Sequence, residues 1–350
     1  MVTSARRVLC KKCTLLFFNI LFSFSMILYI QWVRSSTPEI ICPIPKEQPF
    51  LNQQKEVVVL LWTLPFNEQF NLNQCEELFG ITGCLFTSNR SLYNKADAVI
   101  LHHSDIMYNR SKLPQQPRPG HQRWIWFNLE PPSKIINLDM MDNLINLSMT
   151  YRCDSDIFTP YGWTLLTEEP QKFSIPAKSK LVAWVANNWD PSIPSVRYYK
   201  ELENHLPVDV IRTRQQRLNE DELIFLSKYK FYLAFEHFQN QDYVTEKLWN
   251  NALLSGSVPI VLGPTRANYE RFLPAAAFIH VHDFHSTEEL AEFLLALDKD
   301  DYRYQSYFSW RSRYKVVGST SWPTHYCKAC YFLQRPTTYR SLSSVAEWFR

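Results

Sequence analysis

The stretch KFYLAFEHFQNQDYVTEKLWNNALLSGSVPIVLGP, residues 230–264, decides the fold. Its first apolar run, Phe231–Phe235, and its last, Val258–Leu262, are short and continuous, as strands buried on both faces are. Between them, Val244–Ser255 has the length of a crossover helix, and Gly256 follows it as a C-terminal cap. This strand–helix–strand unit predicts a parallel sheet with helices on its faces.

The same alternation extends on both sides of this unit. Further candidate strands are Val57–Trp62, Ala98–Leu101, Trp124–Leu129, Leu181–Val185, Val208–Ile211 and Phe278–Val281. A segment rich in Pro, Lys and Ser, residues 167–180, separates them into two groups. We therefore expect two Rossmann-like α/β domains, at 57–170 and 171–318, followed by a tail at 319–350. Such domains place the carboxyl ends of their strands around a shared ligand cleft.

An uncharged apolar run, residues 14–33, precedes both domains, and about 20 helical residues cross a bilayer core. Four Lys or Arg residues come before it and only Arg34 follows closely, which predicts a cytoplasmic N-terminus. No small-residue cleavage site follows, so a retained anchor is favoured over a cleaved signal peptide. The prediction is a cytoplasmic tail at 1–13, a single transmembrane signal-anchor at 14–33 and a stem at 34–56.

Two features beyond this run indicate the lumen of the secretory pathway. The sequons that begin at Asn89, Asn109 and Asn146 are candidate glycosylation sites, which require surface exposure. The cysteines beyond the run lie where oxidation is permitted; they are Cys42, Cys75, Cys84, Cys153, Cys327 and Cys330.

Composition excludes several classes of function. The formal net charge is only +3, so a nucleic-acid partner is not expected. The chain has 7 glycines and no G-x-G, which excludes dinucleotide fingerprints and P-loops. A phosphate site must therefore use side chains and helix N-termini.

The densest group of polar residues lies inside the opening stretch. After the strand Phe231–Phe235 a loop leads to Tyr243, and the first turn of the following helix carries Glu246 and Lys247. A lysine at a helix N-terminus supplies positive charge for a leaving diphosphate, and a carboxylate there can hold a sugar hydroxyl. A solvated helix end with an acidic cap is the alternative interpretation.

Residues 230–264 also resemble the signature of the α1,3-fucosyltransferases, the Lewis-type Golgi enzymes. Four further segments resemble that family in the same order: HHSDI from His102, RWIWFNLEPP from Arg123, TYRCDSDIFTPYGW from Thr150, and VRYY from Val196. The resemblance covers residues 57–334. It implies a GT-B fold, GDP-fucose as donor, a glycan acceptor on a glycoprotein or glycolipid, and a Golgi membrane protein of single-pass type II topology with a luminal catalytic domain.

The resemblance also implies roles for individual residues. An inverting transferase needs one general base on the acceptor hydroxyl, and the resemblance assigns it to Glu130. It assigns donor binding to Arg197, Tyr243, Glu246 and Lys247, with Glu246 on the fucose and Lys247 on the phosphates. The acceptor side is implied at His102, His103 and Asp105, beside Glu130.

No metal site or required cofactor is predicted. Asp154-Ser155-Asp156 forms a D-x-D motif, but charge-capping of a turn is the favoured interpretation. Adjacent residues on a strand face opposite sides, so the pair His102-His103 makes a poor metal clamp. Stimulation by Mn or Mg, and homodimer formation, stay open.

The cysteine pairing is implied by the resemblance, which ties the C-terminal tail back to the first domain. The pairing we expect is Cys75 with Cys327 and Cys84 with Cys330. Cys42 and Cys153 are left over, either as thiols or as a pair.

Four positions depart from the family pattern. Ser195 replaces an arginine on the donor diphosphate, His237 replaces an asparagine, and Ser104 replaces a bulkier residue. The family's V-D-V-Y-G reads V-D-V-I-R here and ends at Arg212. Two functions follow as alternatives: an active α1,3-fucosyltransferase acting on N-acetylglucosamine of lactosamine-type glycans, or a catalytically weak or silent relative that binds glycan or partners.

Overall fold

The computed structural model describes residues 42, 56–186, 189–213, 218–319, 321–336 and 338–350. The predicted cytoplasmic tail and the predicted anchor at 14–33 lie outside these residues, as does the predicted stem apart from Cys42 and Glu56. Among the residues described, no helix has both the length and the apolar character that a membrane span requires.

Thirteen strands form within the described residues, most of them from the continuous apolar runs of the sequence. In chain order they are β1 (Val57–Leu61), β2 (Cys84–Thr87), β3 (Ala98–His102), β4 (Arg123–Asn128), β5 (Leu147–Thr150), β6 (Ile157–Phe158), β7 (Gly162–Leu166), β8 (Lys180–Ala186), β9 (Asp209–Arg212), β10 (Tyr229–Phe235), β11 (Val258–Leu262), β12 (Ile279–His280) and β13 (Tyr314–Gly318).

Eleven of these strands build two parallel sheets, one per domain. The first has the order β2-β1-β3-β4-β5-β6 and the second the order β12-β11-β10-β8-β9. All pairs within both sheets are parallel. The carboxyl ends of β3 and β4 therefore lie at one edge of the first sheet, and that of β10 lies at the centre of the second.

A two-stranded antiparallel ribbon, β7 with β13, connects the domains. Its strands lie where the chain leaves the first sheet and where it returns after the second. A Cβ on Gly162 would overlap the ring of Trp249, and one on Gly318 would overlap the side chain of Asn250. Glycine is therefore required at both positions for the ribbon to approach the helix after β10.

The helices occupy the connections between the strands. They are α1 (Cys75–Phe79), α2 (His103–Ile106), α3 (Pro194–Leu202), α4 (Glu220–Leu226), α5 (Arg266–Tyr269), α6 (Thr287–Asp298), α7 (Asp301–Ser306), α8 (Trp322–Leu333) and α9 (Val345–Phe349), together with a π-helix, Lys247–Leu254, between β10 and β11. The sequence predicts that last helix from Val244, but the structure begins it at Lys247. The loop before it contains Asp242 in a left-handed conformation (φ 60°).

The C-terminal residues return to the core of the first domain. Cys327, Cys330 and Leu333 of α8, and Val345 and Phe349 of α9, are buried in the same cluster as the strands of the first sheet. Disulfides join Cys75 to Cys327 and Cys84 to Cys330, the pairing that the resemblance implies. A third joins Cys42 to Cys153, which resolves the alternative that the sequence leaves open.

Candidate active site

The loop that follows β10 forms the most highly charged buried group in the second domain. Glu236, the first residue after the strand, is 2% exposed, and its Oε1 accepts a hydrogen bond from the Thr245 backbone N–H at 2.7 Å. Its Oε2 lies 3.1 Å from Nζ of Lys247. The Glu246 carboxylate lies 3.7 Å from the same ammonium. Lys247 is thus held between two carboxylates at the start of the π-helix.

Burial and charge act in opposite directions on this pair. Burial favours the neutral form of Lys247, but the carboxylates of Glu236 and Glu246 outweigh it and raise the pKa of the ammonium. Burial also raises the pKa of Glu236, against the opposing charge of Lys247. Lys247 is therefore a permanent cation at neutral pH, fixed in position by its neighbours.

Glu130 lies on the first domain, two residues after the carboxyl end of β4. The Asn128 side chain donates to the Glu130 backbone carbonyl at 2.6 Å, and the Tyr161 hydroxyl donates to the Leu129 carbonyl at 2.8 Å. These bonds fix the backbone on both sides of Glu130. The residue is half-buried, and among the described residues no side chain forms a hydrogen bond with its carboxylate. The backbone of Glu130 is thus fixed while its carboxylate makes no side-chain hydrogen bond in the described part of the chain.

Two tyrosines link Glu130 to the charged group of the second domain. Burial raises the pKa of Tyr161, and the charges of Glu130 and Glu246 raise it further. The pKa of Tyr243 is raised by burial and by charges that include the same two carboxylates. The ring centroids of Tyr161 and Tyr243 lie 6.2 Å apart. The charges of Glu130 and Glu246, one from each domain, therefore act on the same two tyrosines.

Asp242 fixes the loop that carries Tyr243 against the first domain. Its Oδ2 accepts a hydrogen bond from the Cys153 backbone N–H at 3.0 Å, and its Oδ1 pairs with Arg271 at 2.7 Å. Cys153 is in turn bonded to Cys42, whose backbone N–H donates to the Arg271 carbonyl at 3.2 Å. This arrangement ties residues of both domains together.

The predicted acceptor-side residues lie at the end of β3, the neighbour of β4 in the sheet. Nδ1 of His102 lies 2.7 Å from Oδ2 of Asp105. The ring of His102 contacts Phe66, Phe127 and Trp322, with centroids 5.2, 5.4 and 6.0 Å away. His102 is itself 2% exposed, so these aromatic rings enclose it.

His103 points the other way, into the core. Its Nε2–H donates to the Ile136 carbonyl at 2.9 Å, while Nδ1 is buried and has no hydrogen-bond partner in the described part of the chain. Burial lowers the pKa of His103 to about 4, so the ring is neutral. His103 therefore lies in the core of the first domain, and its acceptor-side role stays a prediction.

Arg197 does not join the other predicted donor residues. It is exposed on α3, and within the described residues it forms no ion pair or hydrogen bond with Glu246 or Lys247. Ser195, two residues earlier, is buried, and its hydroxyl has no partner in the described part of the chain. The D-x-D carboxylates are engaged locally: Asp154 pairs with Arg152 at 2.6 Å, and Asp156 accepts from Ser148 at 2.8 Å.

One predicted glycosylation site conflicts with the structure. Asn89 and Asn109 are exposed, but Asn146 is 1% exposed. Its Oδ1 accepts from the Trp124 backbone N–H at 2.8 Å, and its Nδ2 donates to the Arg340 carbonyl at 2.6 Å. Glycosylation requires an accessible amide nitrogen, and that of Asn146 is engaged inside the folded chain. Modification at the three sequons stays a prediction.

Three residues of this site carry no role in the sequence interpretation: Glu236, Asp242 and Tyr161. Glu236 could have been found from the sequence, because an acidic residue directly after a buried apolar strand needs a partner. The sequence gives no such indication for Tyr161 and Asp242, because their contacts join segments that are distant in the sequence.

The fold defines a class of protein: two parallel α/β sheets that follow one another along the chain, as in GT-B-like glycosyltransferases. Comparison with family models gives two matches, glycosyltransferase family 10 (fucosyltransferase) C-term at residues 175–348 and fucosyltransferase, N-terminal, at residues 54–162. The chain belongs to the fucosyltransferases of glycosyltransferase family 10.

Named relatives agree with this assignment. The chain is 50% identical over 303 residues to the 3-galactosyl-N-acetylglucosaminide 4-alpha-L-fucosyltransferase FUT3 of Pan troglodytes, covering 84% of this chain and 80% of the relative. It is equally 50% identical over 303 residues to the 4-galactosyl-N-acetylglucosaminide 3-alpha-L-fucosyltransferase FUT5 of Homo sapiens, with the same coverage.

Solved structures share the fold. An alpha1,3-fucosyltransferase crystallised with GDP-fucose superposes with a TM-score of 0.54 at 18% identity, covering 86% of this chain and 96% of the other. A second structure, of an alpha1,3-fucosyltransferase with GDP, gives a TM-score of 0.53 at 18% identity, covering 85% and 95%.

Proposed function

We propose that this protein transfers L-fucose from GDP-fucose, with inversion, in α1,3 linkage to N-acetylglucosamine of lactosamine-type glycans on glycoproteins or glycolipids. The proposal is supported by the charges of Glu130 from the first domain and Glu246 from the second, which both act on Tyr161 and Tyr243, and by the 3.7 Å contact of Glu246 with Lys247. Relatives at 50% identity are named as fucosyltransferases of this substrate class.

The proposed reaction uses each group once. Glu130 takes the proton from the acceptor hydroxyl while that oxygen forms a bond to the anomeric carbon of fucose. The bond from that carbon to the phosphate oxygen breaks on the opposite face, and GDP leaves with its extra negative charge. Lys247 stabilises that charge, and Glu246 holds the fucose through its hydroxyls or through charge on the ring.

The domain roles follow from the same proposal. Residues 57–170 form the acceptor-side domain, residues 171–318 the donor domain, and the tail at 319–350 completes the first domain. In the cell, the proposed location is the Golgi membrane, with a single type II span at 14–33 and a luminal catalytic domain. Protease protection and co-staining with a Golgi marker test that location.

The decisive experiment measures fucose transfer by the purified luminal domain, residues 42–350, to acceptors with β1,4-linked and β1,3-linked galactose, followed by NMR of the product linkage. Glu130→Gln should lower kcat about 10³-fold, as loss of a general base does, and leave GDP binding intact. Glu76→Gln, at an exposed glutamate of α1, is the matched control.

The outcomes separate the two candidate functions. Transfer that Glu130→Gln abolishes, with an α1,3 product, supports the enzyme. Wild-type protein that binds GDP and glycan without transfer supports the silent relative instead. An α1,4 product contradicts the proposed linkage alone.

A further inference from the structure

Lys134 of the first domain reaches a loop of the second. It lies four residues after Glu130, at the end of a 3-10 turn, Pro132–Lys134, whose backbone is closed by a 2.9 Å hydrogen bond from Lys134 N–H to the Pro131 carbonyl. Its Nζ lies 5.7 Å from the ring centroid of Phe238. Phe238 belongs to the loop after β10, which also carries Glu236. The side chain of Lys134 therefore contacts a loop of the second domain.

A second lysine, Lys247 of the second domain, also lies near this loop. The ring of His237, next to Phe238, is partly buried, and its pKa is lowered to about 4 by burial first and then by the ammonium charges of Lys247 and Lys134. Both ammonium groups are thus close enough to affect one imidazole. Positive charge from the two domains converges on His237.

The two lysines differ in how their charge is balanced. Lys247 has Glu236 and Glu246 within ion-pair distance. Lys134 is exposed and has the ring of Phe238, but no carboxylate among the described residues forms an ion pair with it. An ammonium placed near a second cation, without an anion of its own, attracts an anionic ligand.

We infer that Lys134 supplies a second cation, from the acceptor-side domain, to the diphosphate of the bound nucleotide. This inference rests on the proposed function, since it takes the same crevice as the site of a guanosine diphosphate. Lys134 would then contact the nucleotide while Glu130, four residues earlier, contacts the acceptor. The short segment Glu130–Lys134 would then contact the acceptor at one end and the nucleotide at the other.

The contact has a consequence for the catalytic cycle. An exposed lysine that pairs with phosphate oxygens adds affinity that salt screens, whereas the buried pair Lys247–Glu236 is screened much less. Lys134 should thus govern the salt-sensitive part of GDP affinity. It should affect KM for the donor more than kcat, because it holds the diphosphate before as well as after transfer.

The test is calorimetric titration of GDP into the luminal domain, residues 42–350, as wild type, Lys134→Ala, Lys134→Arg and Lys95→Ala. Lys95 is an exposed lysine before the amino end of β3, on the edge of the sheet opposite the crevice. We expect Lys134→Ala to weaken GDP binding about 5- to 10-fold at low salt, with the difference shrinking above about 0.5 M salt. Lys134→Arg should stay within about 2-fold of wild type, since it keeps the charge.

Guanosine, which lacks the phosphates, separates a phosphate contact from a general change in the site. Its affinity should be the same for wild type and Lys134→Ala. Equal GDP affinity of wild type and Lys134→Ala, or an equal loss for GDP and guanosine, overturns the inference and leaves the proposed function standing. Wild-type protein that binds no GDP overturns both.

Discussion

The ammonium of Lys247 lies 3.1 Å from Oε2 of Glu236, a carboxylate that is almost sealed from solvent. The same carboxylate accepts hydrogen bonds from the backbone N–H and hydroxyl of Thr245 through its Oε1. Glu236 is therefore closed off from solvent by its own partners. It orients the first turn of the π-helix, and with it the cation of the proposed donor site.

The variant Glu236→Gln tests whether Glu236 positions Lys247, because it leaves Lys247 itself in place. The amide keeps the size of the side chain but leaves a buried ammonium without its main counter-charge, which costs about 3 kcal/mol of unfolding free energy. Fucose transfer should fall about 10- to 100-fold, mostly in kcat, because the cation acts on the leaving diphosphate. Urea denaturation and steady-state kinetics measure the two effects.

Glu288→Gln is the control for this change, since Glu288 is exposed in the first turn of α6. A double variant, Glu236→Leu with Lys247→Met, removes both charges and should regain much of the lost stability without regaining transfer. Unchanged kcat in Glu236→Gln would contradict the positioning role.

N-glycans should attach at Asn89 and Asn109 and be absent from Asn146. At the first two, the side-chain oxygen accepts from the backbone N–H of Ser91 and Ser111 at 3.0 and 2.8 Å, and the residues are exposed. Asn146 uses both ends of its amide inside the fold. Enzymatic deglycosylation in heavy-oxygen water followed by peptide mass spectrometry assigns each site.

Variants at these asparagines should also differ in stability. Asn146→Ala leaves buried groups without partners and should cost about 1–3 kcal/mol for each one. Asn89→Ala, at the exposed site, should lower the apparent mass by one glycan and preserve the fold. Folded, active protein with a glycan on Asn146 would refute this prediction.

His103 should make the stability of the domain depend on pH. Burial lowers its pKa to about 4 in the folded protein, whereas an unfolded histidine titrates near about 6.5. Because the unfolded chain binds the proton more readily, the stabilising contribution is complete above pH 6.5 and declines as pH falls towards 4. The shift corresponds to about 3 kcal/mol.

Urea denaturation at pH 7 and pH 5 measures this dependence. His103→Gln can still donate to the Ile136 carbonyl but does not titrate, so its stability should fall less between the two pH values. Part of the slope should persist, because the pKa of His237 is also lowered to about 4. His121→Gln, at an exposed loop histidine, should keep the wild-type slope. An equal slope in His103→Gln would contradict the assignment.

Eight of the thirteen strands among the described residues were predicted from apolar runs, whereas β2, β5, β6, β7 and β13 were not. The predicted strand Val258–Leu262 coincides with β11, and Phe231–Phe235 lies within β10. The helix after β10 was predicted from Val244, three residues before it begins, since nothing in the local pattern shows that Asp242 is held by Cys153 and Arg271. The contact of Asp242 with Cys153 spans 89 residues and depends on how the domains pack.

The same limit applies to the site. Glu130, Glu246 and Lys247 could be proposed from motifs, because their neighbours in the sequence carry the resemblance. The burial of Asn146 could not be predicted, since a sequon is only three residues long and the hydrogen-bond partner of Asn146, Arg340, lies 194 residues away. Ser195 and Arg197 are a related case. Both lie on α3, and the sequence did not show that Ser195 is buried while Arg197 is exposed.

The return of the C-terminal residues to the first domain has a consequence for biosynthesis. Cys75 and Cys84 are bonded to partners 252 and 246 residues later, and α8 and α9 fill the core around them. At about 5–20 residues per second of translation, these thiols wait tens of seconds for their partners. The first domain is therefore synthesised first but completed last. A non-native disulfide formed in the interval must be exchanged before the native disulfides can form.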